Sequence, residues 1–349
     1  MAALARDSTP LPLGREGGPR PAFLSVRQPT EPGEGGRSAA AKGIAMIGAV
    51  DIGGTKIAAG VVDEEGRVLA KAECPTDVPR GFADAMRRVA EMLAQCVGQT
   101  GIKGIGIGCT GPVDPVSGAL GNVNLLPGWE GGNPVETLSA KFGVTAAMEN
   151  DADAAGLGEA VWGAGKGKVR LVYVTISTGI GASVILEGKV YRGAGGCHPE
   201  IGHHVVEPSG PPCSCGARGC WESLASGPAM VEWVKANASG NYGGQELSAK
   251  LICARAAEGA EWARRAVERE GYYLGVGLAN IVSVFTPDAI VLGGGVMKSA
   301  DLFLDRIRQV IRENCRLVPY ERVELSLASL GPDVALIGAA QVWQHRFAR

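Results

Sequence analysis

Two stretches of this chain run through the same order of elements. DIGGTKIAAGVVDEEGRV, from Asp51, reads as strand, glycine turn, strand, tight turn, strand; TISTGIGASVILEGKV, from Thr175, reads the same way although few residues agree. The apolar runs are short, rich in Val, Ile and Ala and bounded by glycine, which is the pattern of buried strands. Helical spacing follows each unit. After the first, Met86, Val89, Ala90 and Leu93 place a helix over about 82–97, IKGIGIGCTG (102–111) and VTAAMEND (144–151) add two strands, and a helix starts near Ala152. After the second come helices over about 226–237, 246–258 and 260–285, the strand AIVLGG and a helix over 299–313. A duplicated hairpin-plus-helices unit predicts an α/β protein of two similar domains facing each other across a cleft. The first domain is expected to take residues 44–163 and 333–349, because the apolar helix Val334–Trp343 should pack back on it, and the second residues 164–332.

Bulk properties narrow the function. At 349 residues the chain is too long for one small core, and 46% hydrophobic residues suffice for two. A net charge of −2 creates no field that would draw in nucleic acid or an acidic membrane. No apolar run is long enough to span a bilayer. The nine cysteines are odd in number and, one cluster apart, scattered, which suggests a reducing cytoplasm rather than a disulfide framework. Residues 1–43 are rich in Pro, Gly, Arg and Glu, lack periodic apolar positions and carry no signal-peptide core; they are expected to be a disordered extension, and a misplaced start codon would look the same.

The glycine turns are candidate phosphate sites. In Asp51-Ile52-Gly53-Gly54-Thr55-Lys56 the glycines let backbone N–H groups approach a ligand, Thr55 and Lys56 add a hydroxyl and a cation, and Asp51 could face a magnesium ion through water. Thr178 and Gly179 form the same device in the second half. Gly293, Gly294 and Gly295 follow a buried strand and can pass under a base or a phosphate. Gly106-Ile107-Gly108-Cys109-Thr110-Gly111 fits G-x-G-x-x-G literally, but Pro112, Val113 and Asp114 follow where a helix N-terminus would be needed. There is also no G-x-x-x-x-G-K-[ST] loop.

A second cluster lies in HPEIGHHVVEPSGPPCSCGARGCWES, from His198. Cys213, Cys215 and Cys220 stand within eight positions and His203 ten residues before the first, a set suited to a closed tetrahedral zinc site. Four protein ligands leave no position for water, so a structural zinc is expected and a zinc hydrolase is not. Glu200 and Glu222 flank the cluster and are not needed by the metal, which leaves them for a polar ligand. Asp151 ends a buried strand and opens a helix, where it could face the cleft or cap the helix. Asp153, two residues on, is expected to be solvated, as is His204.

DIGGTK, CTGPVD, NVNLLPGW, ENDADAA, HPEIGHH, CSCGARGCWE and VLGGG, in this order over about residues 44–345, resemble the ROK family of repressors, open reading frames and kinases. The resemblance implies two actin-like (ribonuclease H-like) domains and an ATP- and magnesium-dependent hexose 6-kinase, most of all a glucokinase, with a homodimer as the family's usual assembly. It implies that Asp151 is the catalytic base. It implies that Gly111, Pro112, Asn124, Asn150, Glu200, His203 and Glu222 meet the sugar, with ATP phosphates on Gly53–Lys56 and Thr178–Gly179 and adenosine near Gly293–Gly295. His203 would serve both zinc and sugar. STGIGAS departs from the commoner form, which has Gly at the position of Ser177. His198-Pro199 resembles the fructokinase branch, whereas CSCGARGC resembles glucokinases and N-acetylmannosamine kinases more, so the hexose stays open, as does polyphosphate as donor. A sugar-sensing repressor of the same family would carry an N-terminal helix-turn-helix, for which residues 1–43 have no helical periodicity and too many prolines.

Overall fold

The computed structural model describes residues 46–238, 242 and 245–348; the extension expected over 1–43 lies outside them. The first sheet is built from β1 (Ile47–Ile52), β2 (Lys56–Val62) and β3 (Val68–Pro75), then α1 (Gly81–Val97), β4 (Gly104–Cys109), α2 (Pro134–Phe142) and β5 (Thr145–Asn150). Helix α3 (Asp151–Val161) leads to β6 (Arg170–Ile176), β7 (Ile180–Leu186) and the two-residue β8 (Lys189–Val190). Then follow α4 (Trp221–Ala225), α5 (Gly227–Asn237), α6 (Ala249–Ala257), α7 (Glu261–Phe285), β9 (Ala289–Gly293), α8 (Leu304–Asn314), β10 (Glu324–Leu327) and α9 (Val334–Phe347).

The strand orders are β3-β2-β1-β4-β5 and β10-β9-β6-β7-β8. Read from the hairpin outward they are one topology. β1 pairs antiparallel with β2 and parallel with β4, and β6 pairs antiparallel with β7 and parallel with β9. The internal strands β1, β4 and β9 are buried along almost their whole length, as strands covered on both faces are, while the edge strand β3 alternates between half-buried and exposed residues, one face being left to solvent.

Helix α3 joins the halves. It packs on α9 and β4 on one side and on β6 and β7 on the other. Small residues permit this: a Cβ at Gly158 would lie 3.0 Å from Gly338 Cα on α9, and one at Gly156 would lie 2.6 Å from Ser183 Cβ on β7. The buried Glu159 carboxylate pins the other end of α3, accepting N–H groups of Ala164 at 2.8 Å and of Ser329 and Leu330 at 3.0 Å. Helix α9 does return to the first sheet, as expected, where Leu336, Ala339 and Ala340 join Ile47, Ala49 and Val62 in one buried cluster.

That packing also accounts for the misleading glycine series. Gly106 faces α9, and a Cβ there would sit 1.7 Å from the Ala339 carbonyl oxygen. The Gly106→Ala variant should therefore force α9 off the sheet and lose about 3 kcal/mol of stability, at the upper end of overpacking costs, measured by urea unfolding; an unchanged midpoint would show that α9 does not rest on β4.

Two boundaries and one additional helix differ from the expectation. The helix placed over 299–313 starts only at Leu304, because Val296–Leu302 forms irregular 3-10 turns broken at Ser299. The helix placed over 246–258 is shorter, starting after its cap Ser248, whose side chain accepts the Leu251 N–H at 3.2 Å. Helix α2 was not expected, although Asn133 caps it and Pro134 opens it.

Candidate active site

Asp151 stands at the junction of β5 and α3. The cap of α3 is Asn150, whose side-chain oxygen accepts the Ala152 N–H at 2.9 Å. Its Nδ2 donates to the Gly111 carbonyl at 3.3 Å, fixing the turn after β4, where Gly111 has φ 82°. The Asp151 Oδ1 accepts the same Ala152 N–H at 2.9 Å, so it shares the helix end without being needed there. Across Gly108, Asp51 approaches from β1: a Cβ on that glycine would lie 3.7 Å from both Asp51 Oδ1 and Asp151 Cα. Burial raises the Asp151 carboxyl above the usual range, opposed by the Ala152 N–H and by the charge of His198. Burial, reinforced by Asp151, pushes Asp51 up to about 7. The like charge that raises Asp51 is of the kind that a hard divalent cation near Asp51 would relieve.

The first glycine turn is braced by a residue that sequence reasoning missed. Thr76, fully buried at the end of β3, donates its hydroxyl to the Gly53 carbonyl at 2.6 Å, and its N–H bonds Thr55 O at 2.9 Å. Gly53 N–H donates to Lys56 O at 2.9 Å. A Cβ on Gly54 would meet Leu125 Cβ at 2.9 Å, so the loop bearing the exposed Asn124 lies against this turn. Pro112 is likewise exposed at the surface. Lys56, expected as a phosphate cation, pairs with Glu73 at 3.0 Å. Both are about half exposed, so the pair contributes roughly 0–1 kcal/mol and yields readily to a phosphate.

On the second sheet, Thr178 and Gly179 are brought beside the third glycine run. A Cβ on Gly294, whose φ is 90°, would lie 2.3 Å from Ile176 O, and one on Gly295 would lie 3.4 Å from Ser177 Oγ. Glu222 is not wholly free, as its position beside the metal cluster had suggested. Its Oε2 accepts the Ile180 N–H at 2.9 Å and fills the space a Cβ on Gly179 would take. The same carboxylate therefore touches the turn expected to hold phosphate and the wall expected to hold sugar.

The cysteine cluster assembles as its spacing suggests. His203, Cys213, Cys215 and Cys220 each present a ligand atom, all within 4.8 Å of one another. His203 Nδ1 lies 3.4 Å from Cys213 Sγ, and Cys215 Sγ 3.6 Å from Cys220 Sγ. Zinc–sulfur bonds of about 2.3 Å would give tetrahedral edges of roughly 3.8 Å, so the donor set fits that ion. Burial and the adjacent thiols push the Cys220 thiol up to about 12, a cost that a metal would remove. With Nδ1 turned to the cluster, the other ring nitrogen of His203 is left for a second partner. Glu200, just before the 3-10 turn Ile201–His203, is exposed, and that turn rests on the start of β7, where a Cβ on Gly202 would meet Ile180 O at 1.9 Å.

Two expectations are corrected here. Asp153 is not solvated: it is 0% exposed and its Oδ2 lies 2.7 Å from His198 Nδ1. The reason is that α3 is covered on this face by residues 191–203, which also send Arg192 to the buried Glu149. His204 is not a solvated neighbour either; its Nδ1–H donates to Ile201 O at 2.5 Å and its ring stands 5.4 Å from that of Trp221.

The profile of the ROK family matches residues 47–346. A glucokinase of Streptomyces coelicolor is 36% identical over 313 residues, covering 84% of this chain and 96% of the relative. A glucokinase of Thermotoga maritima is 30% identical over 310 residues, covering 86% and 98%. Among solved structures, a ROK family glucokinase from Streptomyces griseus in complex with glucose and AMPPNP superposes with a TM-score of 0.73 at 34% identity, covering 85% of this chain and 98% of that one.

Proposed function

The chain belongs to the ROK family, and from that premise we propose that it is an ATP-dependent glucokinase that phosphorylates the 6-hydroxyl of glucose. The observation that carries this reading is Asp151, half-buried at the start of α3, a helix packed on both sheets, with a glycine turn on either side. A general base for phosphoryl transfer must reach the attacking hydroxyl from a dry site, and little else is asked of the protein beyond positioning and charge. The likeness to glucokinases, one of them holding glucose and AMPPNP, supports a hexose and an adenine nucleotide as the two substrates.

In this reading the ATP phosphates lie on Gly53, Gly54, Thr55 and Lys56 and on Thr178 and Gly179, with the adenosine over Gly293, Gly294 and Gly295. The sugar lies between Gly111, Pro112, Asn124 and Asn150 on one side and Glu200, His203 and Glu222 on the other. Asp151 takes the proton from the 6-hydroxyl as the oxygen attacks the γ-phosphorus, and the leaving group departs as ADP. Closure of the two halves, 44–163 with 333–349 against 164–332, would exclude water. Asp51 is the residue that would face a magnesium ion through water; when bound, that ion neutralises phosphate charge. His203, Cys213, Cys215 and Cys220 would hold a structural zinc, which has no redox role and keeps the wall carrying Glu200 and Glu222 in place. The enzyme would work in the cytoplasm, where cysteines without disulfides are stable, as the homodimer the family implies. Among the described residues no helix is long and apolar enough to cross a membrane.

Release of ADP, measured with ATP and magnesium over glucose, mannose, fructose and N-acetylmannosamine, tests the substrate. Glucose should lead in kcat/KM by at least about tenfold, the scale on which hydrogen-bonded sites reject a misplaced hydroxyl. Preference for another hexose would keep the chemistry and overturn the substrate.

A further inference from the structure

Asp153 and His198 form a buried pair that the reaction as described does not use. Asp153 lies one residue past the first turn's Asp151–Ala152 contact and is completely buried; the His198 side chain is 9% exposed and bonds it through Nδ1 at 2.7 Å. One oxygen of Asp153, Oδ1, has no hydrogen-bond partner among the described residues. A carboxylate so placed is costly unless the facing imidazole carries a proton. The pair also lies within electrostatic reach of the candidate base. The charge of Asp151 favours the protonated ring of His198, and the ring in turn favours ionised Asp151.

We propose that His198, held by Asp153, is a positioning residue that supplies the positive charge keeping Asp151 a carboxylate, and so a base, inside the closed cleft. The inference rests on the kinase reading only for what Asp151 does; the charge coupling stands apart from it.

The charges around the pair point the same way. His198 is faced by Asp153 from α3, by Asp151 at the start of α3 and by Glu200 from its own loop. Burial disfavours the charged ring, but these three carboxylates outweigh it and raise its affinity for a proton. Asp151 is faced by Asp51 from β1, by Asp153, by the Cys109 thiol from β4 and by the Tyr173 phenol from β6. Among the groups that act directly on Asp151, His198 is the one that can carry a positive charge, while the cation Lys56 acts on Asp51. Without it, Asp151 would hold its proton to higher pH, and a base must have lost that proton before it can work. Arg192 on Glu149 anchors the same loop from the neighbouring strand, so the ring is delivered to this place by two contacts rather than one.

The test uses the full chain. In His198→Gln the amide can still donate to Asp153 but carries no charge. Hexose-dependent kcat/KM should then fall roughly tenfold at pH 6 and stay within about twofold at pH 8, the acid limb having moved up. Asp153→Asn should move it in the same direction. Equal losses at both pH values would mean a merely structural role and overturn the proposal. A readout independent of activity is the NMR titration of the four histidines. The His198 ring should keep its proton to higher pH in the wild type than in Asp153→Asn or Asp151→Asn. A His198 titration indifferent to Asp151→Asn would also overturn the coupling. Coupling in the spectra without ADP release on any hexose would uphold the pair and count against the kinase reading alone.

Discussion

Asp151→Asn should cost about 10²–10⁴ in kcat, the range spanned by a positioned general base, while glucose binding measured by calorimetry stays nearly unchanged. The substitution is close to isosteric, and the structure shows why it should fold. The cap of α3 is Asn150, not Asp151, so the helix keeps its N-terminal hydrogen bond. Removing a half-buried carboxylate whose ionisation burial disfavours is no burden on stability either. The loss should thus fall on kcat and kcat/KM together, as expected of an interaction made only in the transition state. If the variant kept more than about a tenth of wild-type turnover, the base would have to be sought elsewhere, and Asp51 across Gly108 would be the next residue to replace.

Cys220→Ser should have the second large effect. Cys220 is fully buried, immediately precedes α4 and pairs with Val205 across the loop, so it ties the cysteine cluster to the helix that carries Glu222. Metal analysis should find about one zinc per wild-type chain and little in the variant, since one of four closed-site ligands is gone. The loss should amount to at least about 3 kcal/mol of stability, or roughly 5 °C in Tm for a protein of this size. In the fraction that stays folded, the KM for glucose should rise about 10–100-fold, the usual cost of losing groups that orient a site. The KM for ATP should rise too, because Glu222 also bonds the turn at Ile180. Wild-type protein that is purified without zinc and melts at the same temperature with and without a chelator would contradict the structural role.

The parts of this molecule that follow a local period could be read from the chain. The strand–glycine–strand units announce themselves because buried strands are short and apolar and the turns between them need glycine; their equivalence reappears as one strand order in both sheets. The cysteine–histidine cluster was legible because Cys213, Cys215 and Cys220 are close in sequence, and a single upstream histidine completed the set. What stayed hidden depends on segments far apart. Asp153 follows Asp151 by two positions, which on an isolated helix points it away; only the return of residues 191–203, some forty positions later, buries it against His198. Thr76 looks like any residue at a strand end until β3 pairs with β2 and places it under Gly53. Glu222 looks uncommitted until β7 brings the Ile180 N–H to it. Helix α2 is a different case: Asn133 and Pro134 are its start signals, but at nine residues it offers too little periodicity to stand out.

The most direct test of the account is to identify the product. Wild-type protein incubated with glucose, ATP and magnesium should form glucose 6-phosphate, seen by phosphorus NMR in step with ADP, and Asp151→Asn that still binds glucose should form almost none. Phosphate on another hydroxyl, ATP consumed without any sugar phosphate, or an Asp151→Asn variant as active as the wild type would contradict it.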